Sequence, residues 1–225
     1  MQLPNYIPVL FACTTLVSLL LFVQLFNSSK TLVSLLLCIW LVVQAFLGYK
    51  NVYSSNTNVL PPRIFVFGVL PTIILVIFTL VTKKGNHFIN NLSLKQLTII
   101  HVVRVPVEIV LYLLFINKTI PQLMTFEGRN FDIIAGITAP IMAFLAFRNS
   151  KVSKKLLIFW NVIGLMLLLN IVINALFSAP SPIQKFAFDQ PNIAILYFPF
   201  CWLPTFIVPI VLFSHLAALS KLLRK

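Results

Sequence analysis

One apolar stretch near the middle of the sequence carries a row of polar residues that could bind a ligand or transfer protons. His101, Arg104, Glu108 and Tyr112 are spaced three, four and four residues apart. At about 100° per residue, these positions share one helix face within an arc of about 80°. An ionisable group inside a membrane helix costs roughly 2.5–3.5 kcal/mol, so such groups usually face protein or trapped water. We therefore expect either an Arg104–Glu108 pair that fixes the helix or a polar cavity along this face.

A second polar group lies just before the next apolar stretch. It consists of Glu127, Arg129, Asn130 and Asp132. One interpretation is an ordinary solvated helix start, where an amide caps the helix and an acid offsets its dipole. The other is the mouth of a binding site, because an antiparallel neighbour would bring Glu108 to the same end of the bundle.

Two amides and a long link follow further along the chain. Asn170 and Asn174 lie one turn apart on one helix face, where amides usually bridge membrane helices. They are equally placed to form a hydrogen-bonding wall of a cavity. The proline- and phenylalanine-containing segment 180–192 is long enough to fold over the end of the bundle as a partial lid.

Two histidines are the only cofactor ligands that the sequence suggests. His101 and His215 fall at similar depths in two apolar stretches, and two facing imidazoles can ligate a haem b. Hydrogen-bonded or interfacial histidines are the alternative. The sequence has no metal-ligand spacing, nucleophile–base set or glycine-rich phosphate loop, so we predict no metal site and no catalytic residue.

The composition is that of a membrane protein. Of the 225 residues, 60% are apolar and 9% are charged, and the mean hydropathy is +1.00. Soluble domains have about 45–50% apolar and about 25% charged residues. A net charge of +13 would suggest nucleic acid in a soluble protein. Here the basic residues lie mostly between apolar runs, where lipid head groups account for them, so we predict a lipid bilayer and no nucleic acid as partner.

The pattern predicts an all-α polytopic membrane protein, with residues 1–225 forming a single bundle of transmembrane helices. A helix needs about 20 apolar residues to cross a hydrocarbon core of roughly 30 Å. Seven stretches meet this length: about 7–26, 31–49, 64–82, 97–116, 131–148, 156–177 and 194–219. Prolines at 106, 199, 204 and 209 predict local bends and backbone carbonyls without their helical donor.

The distribution of Lys and Arg predicts the orientation of the bundle. Eleven of these residues lie in the first, third and fifth links and the C-terminal tail, against five at the opposite end. The end richer in positive charge is normally cytoplasmic. We therefore expect the N-terminus outside and the C-terminus in the cytoplasm.

The segments Thr125–Asp132, TFEGRNFD, and Phe188–Asn192, FDQPN, carry a family resemblance. With them the chain resembles an uncharacterised family of small seven-span bacterial membrane proteins, over most of its length. The resemblance implies a location in the plasma (inner) membrane and no particular activity.

Three functions fit these observations. The leading hypothesis is a carrier or binding protein for a small polar or anionic solute, with an outward-facing cavity. Arg104 would anchor the solute, and Glu108 would pair with Arg104 or couple protons. The mouth of the cavity would be formed by Arg129 and Asp132, and its hydrogen-bonding wall by Asn170 and Asn174. The alternatives are a non-catalytic subunit that binds a membrane-protein partner, and a haem-binding or other membrane-embedded enzyme.

Overall fold

The computed structural model describes residues 3–26, 30–148 and 152–224, and within these ranges the chain is helical with no strand. The helices are α1 (Tyr6–Val23), α2 (Lys30–Tyr49), α3 (Leu70–Val81), α4 (Lys83–Asn90), α5 (Leu94–Ile99), α6 (Arg104–Ile116), α7 (Asp132–Phe147), α8 (Lys154–Ser178) and α9 (Val208–Leu223). Two π-helical turns, Phe65–Val69 and Leu203–Ile207, lead into α3 and α9, and 3₁₀ turns occupy Ile100–Val103, Gln122–Met124 and Ala194–Leu196.

Several helices are long and apolar enough to cross a membrane. Five qualify in the described ranges: Tyr6–Val23, Lys30–Tyr49, Leu94–Ile116, Lys154–Ser178 and Leu203–Leu223. A sixth is obtained if Phe65–Val81 and Lys83–Asn90, which meet at an angle of 84°, count as one broken span. Asp132–Phe147 is apolar but has only 16 residues. The all-α class is confirmed, and these lengths are consistent with a membrane protein.

Each stretch predicted to span contains a helix, but the last one begins later than expected. The prediction placed its start at residue 194, whereas continuous helix begins at Leu203. Residues 194–202 form a 3₁₀ turn and an irregular segment instead. Pro199 and Pro204 explain the difference, because each removes a backbone donor and disfavours a helical residue before it. Two of the basic residues used for orientation, Lys151 and Lys225, lie outside the described residues.

Two helices, α3 and α9, have a proline in their first turn, which leaves a backbone carbonyl without its helical N–H donor. Side chains of α2 bind these two carbonyls. Pro71 has no N–H for the carbonyl of Phe67, and Gln44 Nε2 donates to that oxygen at 3.0 Å. A proline at position 209 likewise releases the carbonyl of Thr205, which accepts from Trp40 Nε1 at 2.9 Å. Because an unsatisfied carbonyl is costly in an apolar bundle, these contacts attach α2 to both π-helical turns. At α9 the predicted release of a backbone carbonyl is thus observed, beside a π-helical turn.

The fourth predicted span changes helix type beside its most polar residues. A 3₁₀ turn at Ile100–Val103 separates α5 from α6, which begins at Arg104. Pro106 lacks the N–H that the carbonyl of Val102 would accept in a regular α-helix, which explains the local change. The helix α6 packs against α1 on one side and α7 on the other. Gly136 permits the close approach of α7, because a Cβ there would lie 2.8 Å from Val105 Cγ2.

The segment after α2 offers a test of the buried polar contacts. Tyr53 is buried, and its hydroxyl donates to Gln44 Oε1 at 2.5 Å. Burial, with the nearby Cys201 as a smaller cause, raises the pKa of the Tyr53 phenol, so the phenol remains a protonated donor. We predict that Tyr53→Phe lowers the free energy of unfolding by about 1–3 kcal/mol, because it leaves a buried amide oxygen without a donor.

Thermal unfolding of the purified protein measures this loss. Tyr49→Phe is the matched control, since Tyr49 is 73% exposed and should tolerate the change. Equal midpoints for the two variants would contradict the role assigned to the Tyr53 hydroxyl.

Candidate functional site

A cavity of about 230 Å³ lies inside the bundle, between α6 and the ends of α3, α8 and α9 that adjoin the irregular segments. Most of its wall is aliphatic. The apolar lining includes Val69, Ile73, Val107, Leu111, Leu168, Ile171, Val172, Ala175, Leu176, Leu203, Ile207 and Val211. Pro62, Met124, Pro180 and Ile195 also line it, so segments 50–63, 117–131 and 179–202 surround the same end of the cavity, hereafter the loop end.

One part of the cavity wall is polar, and three segments of the chain contribute to it. Arg104 and Glu108 come from α6, Asp132 begins α7, and Asn130 precedes that helix. All four residues are buried, with at most 6% of the surface of each residue exposed. These two acids are half of the four in the entire chain. Two residues of the predicted stripe and two of the predicted cluster therefore line one cavity.

Arg104 is held by α7 and α8. Its Nε lies 3.6 Å from Asp132 Oδ2, and its Nη1 and Nη2 donate to the carbonyl of Gly164 at 3.4 and 3.3 Å. The sequence suggested a pair with Glu108 on the same helix, and this is corrected: the acid that pairs with Arg104 is Asp132. The physical reason is that a carbonyl of α8 and an acid of α7 reach the guanidinium from outside its own helix.

Glu108 binds an amide instead of a cation. Asn130 Nδ2 donates to Glu108 Oε1 and to the carbonyl of Met124, the latter at 3.1 Å. Asn130 Oδ1 accepts from the backbone N–H of Asp132 at 3.1 Å. The Asn130 side chain thus joins α6, the 117–131 segment and the start of α7. Asn130 therefore contacts the start of α7 and also lines the cavity, and it is buried rather than solvated.

Two carboxylate oxygens in the polar wall lack a hydrogen-bond partner. Within the described residues, neither Glu108 Oε2 nor Asp132 Oδ1 accepts a hydrogen bond, and both atoms are buried. The hydroxyl of Ser181, at the loop end of the cavity, is also buried and has no hydrogen-bond partner among the described residues. With both acids ionised, the wall holds two negative charges and the positive charge of Arg104. Buried polar atoms are nearly always paired, so these atoms point to a bound water or ligand.

Other residues predicted for the site lie outside the cavity lining. Tyr112 is partly buried and stacks on Phe126, with ring centroids 5.1 Å apart. Glu127 and Arg129 are exposed, and the Arg129 guanidinium lies 5.7 Å from the centre of the Phe186 ring. These contacts stabilise the surface of the loop end.

Asn170 ties the loop end to α8, and Asn174 binds Asn170 within that helix. Asn170 Nδ2 donates to the carbonyl of Arg129 at 2.7 Å, and Asn174 Nδ2 donates to the carbonyl of Asn170 at 2.9 Å. The cavity wall on α8 is formed instead by aliphatic neighbours such as Leu168 and Ile171. Asn170 therefore bridges two chain segments, the usual role of amides between membrane helices, whereas the hydrogen bonds of Asn174 stay within α8.

The two histidines predicted as haem ligands form a stacked pair. His101 and His215 are fully buried, and their ring centroids lie 3.8 Å apart with the planes at 22°. His215 Nδ1 lies 2.9 Å from Asn161 Oδ1. Axial ligands bind opposite faces of a haem, and rings in face-to-face contact leave no space for a porphyrin between them. Gly164 makes room for this pair, since a Cβ there would lie 2.5 Å from His215 Cε1.

Sequence reasoning missed three contributors to the site. The aliphatic wall carried no distinguishing signal, because similar residues face lipid elsewhere. Ser181 lies in the link 180–192, which the sequence predicted only as a partial lid. The carbonyl of Gly164 is a backbone group, although a glycine inside an apolar helix is a usable signal for close helix contact.

Comparison with known proteins identifies a family. Residues 61–223 match the family described as Domain of unknown function (DUF8737), and the chain belongs to it. This confirms the expectation of an uncharacterised family. All of the residues that line the cavity fall within the matched range. No curated protein and no solved structure matches the chain.

The Arg104–Asp132 pair gives a prediction for stability. We expect Arg104→Met to lower the free energy of unfolding by about 3–5 kcal/mol, because Asp132 would keep a buried charge without its partner. Thermal unfolding in one detergent or nanodisc preparation measures the change. Arg129→Met is the control, since Arg129 is exposed.

The double variant Arg104→Met/Asp132→Asn removes both charges. It should be more stable than Arg104→Met alone, because no uncompensated carboxylate remains. If the double variant is no more stable, the pair does not control the stability of the bundle.

Proposed function

We propose that this DUF8737 protein is a seven-span protein of a bacterial plasma (inner) membrane, with the N-terminus outside and the C-terminus in the cytoplasm. Phe65–Val81 would be the third span, and Asp132–Phe147 the short fifth. At 1.5 Å per residue the latter is about 24 Å long, and its flanking residues complete the crossing. The end of the bundle with α4 carries the excess of basic residues. The loop end then faces away from the cytoplasm.

This topology is tested by labelling in intact cells. In a variant without the native cysteines, Asn56→Cys and Ser153→Cys introduce one exposed thiol at each end of the bundle. A membrane-impermeant maleimide should label Asn56→Cys in intact cells and Ser153→Cys only after the cells are opened. The reverse pattern would contradict the proposed orientation.

We further propose that the protein binds or carries a small ligand in its cavity. The observation that carries this proposal is the convergence of charged side chains from α6 and α7 on one cavity of about 230 Å³. Two carboxylate oxygens of this wall also lack a hydrogen-bond partner among the described residues, which leaves them free to bind a ligand. The cavity adjoins the loop end, which supports access from outside under the proposed topology.

The wall favours a ligand with an apolar portion. The sequence led us to expect a small polar or anionic solute anchored by Arg104. In the structure Arg104 is bound to Asp132 and to the carbonyl of Gly164, and aliphatic side chains dominate the lining. We therefore assign to Arg104 the role of fixing the polar wall, and to the aliphatic lining the role of holding the ligand.

A photoreactive probe tests whether the cavity takes a ligand. We predict that 1-octanol carrying a diazirine on its chain labels cavity residues of the protein in lipid nanodiscs, as mapped by mass spectrometry. Ala175→Phe should lower this labelling at least about fivefold, because Ala175 lines the cavity and the larger ring fills it.

Ile173→Phe provides the matched control on the same helix. Ile173 is 52% exposed, so the variant adds a similar ring to the outer surface of α8. Labelling that is absent from the cavity, or that both variants reduce equally, would contradict the proposed function.

A further inference from the structure

The polar wall of the cavity is rich in acceptors, and this determines the head group that it suits. Three buried atoms of this wall have no hydrogen-bond partner among the described residues. Two are the acceptors Glu108 Oε2 and Asp132 Oδ1, and the third is the donor Arg104 Nε, which lies 3.6 Å from Asp132 Oδ2 in the ion pair. An ionised carboxylate accepts hydrogen bonds and donates none. A ligand group placed at these oxygens must therefore supply protons.

The charge balance points to a cation. Arg104 offsets one of the two acids, and its guanidinium is held between Asp132 and the carbonyl of Gly164. Asn130, the partner of Glu108, is a neutral amide. With both acids ionised, one negative charge in the wall is left without a counter-charge. A protonated amine supplies both the missing charge and the missing donors.

The remaining lining fixes the size and polarity of the ligand body. An apolar cavity of about 150 Å³ holds benzene, so a cavity of about 230 Å³ holds a ligand or ligand segment of roughly nine non-hydrogen atoms. The walls formed by α3, α8 and α9 are aliphatic. Val172 and Leu176 line the cavity and are also 37% and 39% exposed on the flank of α8. This exposure suits a ligand that partitions into the bilayer.

We propose that the cavity binds a cationic amphiphile, an aliphatic chain of about eight carbons with a primary ammonium head placed at Glu108 and Asp132. This inference rests on the proposed function, because it names the ligand class of the same cavity. The chain lies along the aliphatic wall, and the buried hydroxyl of Ser181 is available near the loop end.

A competition experiment in nanodiscs tests the head group. The diazirine-bearing octanol reports on the cavity, and octylamine, 1-octanol and octanoate compete at concentrations measured in the membrane. Octylamine should halve the labelling at about a tenth of the 1-octanol concentration, the difference expected when hydrogen bonds are made to charged rather than neutral groups. Octanoate should compete less well than either.

Variants of the acids separate head-group recognition from partitioning. Glu108→Gln keeps an acceptor for Asn130 but removes a charge, so octylamine should lose its advantage over 1-octanol. Asp132→Asn removes the other acid and provides a second test; because Asp132 also pairs with Arg104, its folding is first verified by thermal unfolding. Glu127→Gln is the matched control, since Glu127 is exposed and outside the lining, and it should leave the tenfold preference unchanged.

The outcomes distinguish this inference from the function on which it rests. Cavity labelling that Ala175→Phe blocks, with octylamine no better than 1-octanol or octanoate, overturns the ammonium assignment and leaves the binding function standing. An octylamine preference that persists in both Glu108→Gln and Asp132→Asn also overturns it. Cavity labelling that never occurs with any probe removes the binding function itself.

Discussion

The buried ion pair between Arg104 and Asp132 is the contact on which the arrangement around the cavity depends. It joins α6 to the first residue of α7, and the guanidinium reaches on to α8 through the carbonyl of Gly164. Burying two charges is costly, so the pair is tolerated only where the helices approach closely and supply further polar contacts. Gly136 allows that approach between α6 and α7. Three helices are thereby fixed at one point, and the cavity lies on the loop-end side of it.

Backbone hydrogen bonding imposes a second constraint, and it explains how the sparsely buried helix α2 is attached. Only three of the 20 residues of α2 are buried, so apolar packing within the chain contributes little to its position. Its polar side chains compensate: Gln44 and Trp40 bind carbonyls whose helical donors are replaced by prolines. Trp202 returns a similar contact by donating to the carbonyl of Leu41 at 2.9 Å. A carbonyl that a proline leaves without its helical donor thus becomes a specific binding site for a side chain of another helix.

The sequence predicts the apolar helices, and two residues from each predicted polar group lie in one cavity wall, but it does not show which atoms bind one another. Hydropathy locates long apolar helices reliably, because the length needed to cross a bilayer is fixed. It failed at residue 194, where Pro199 and Pro204 delay the last helix. Helical spacing also favoured a pair between Arg104 and Glu108, because sequence separation shows neighbours on one helix and not those across a helix interface. The aliphatic wall could not be predicted, since aliphatic residues face lipid and cavity alike.

The two acids of the cavity make different demands on the structure. Asp132 neutralises Arg104, so its charge is needed for the fold as well as for the cavity. Glu108 is bound by the neutral Asn130, and an uncharged amide in its place could accept the same hydrogen bond. Among the described residues Glu108 forms no ion pair, although burying a charge there is costly. Under the proposed ammonium binding, the ligand supplies the counter-charge of Glu108, and the adjoining cavity is where that ligand would lie.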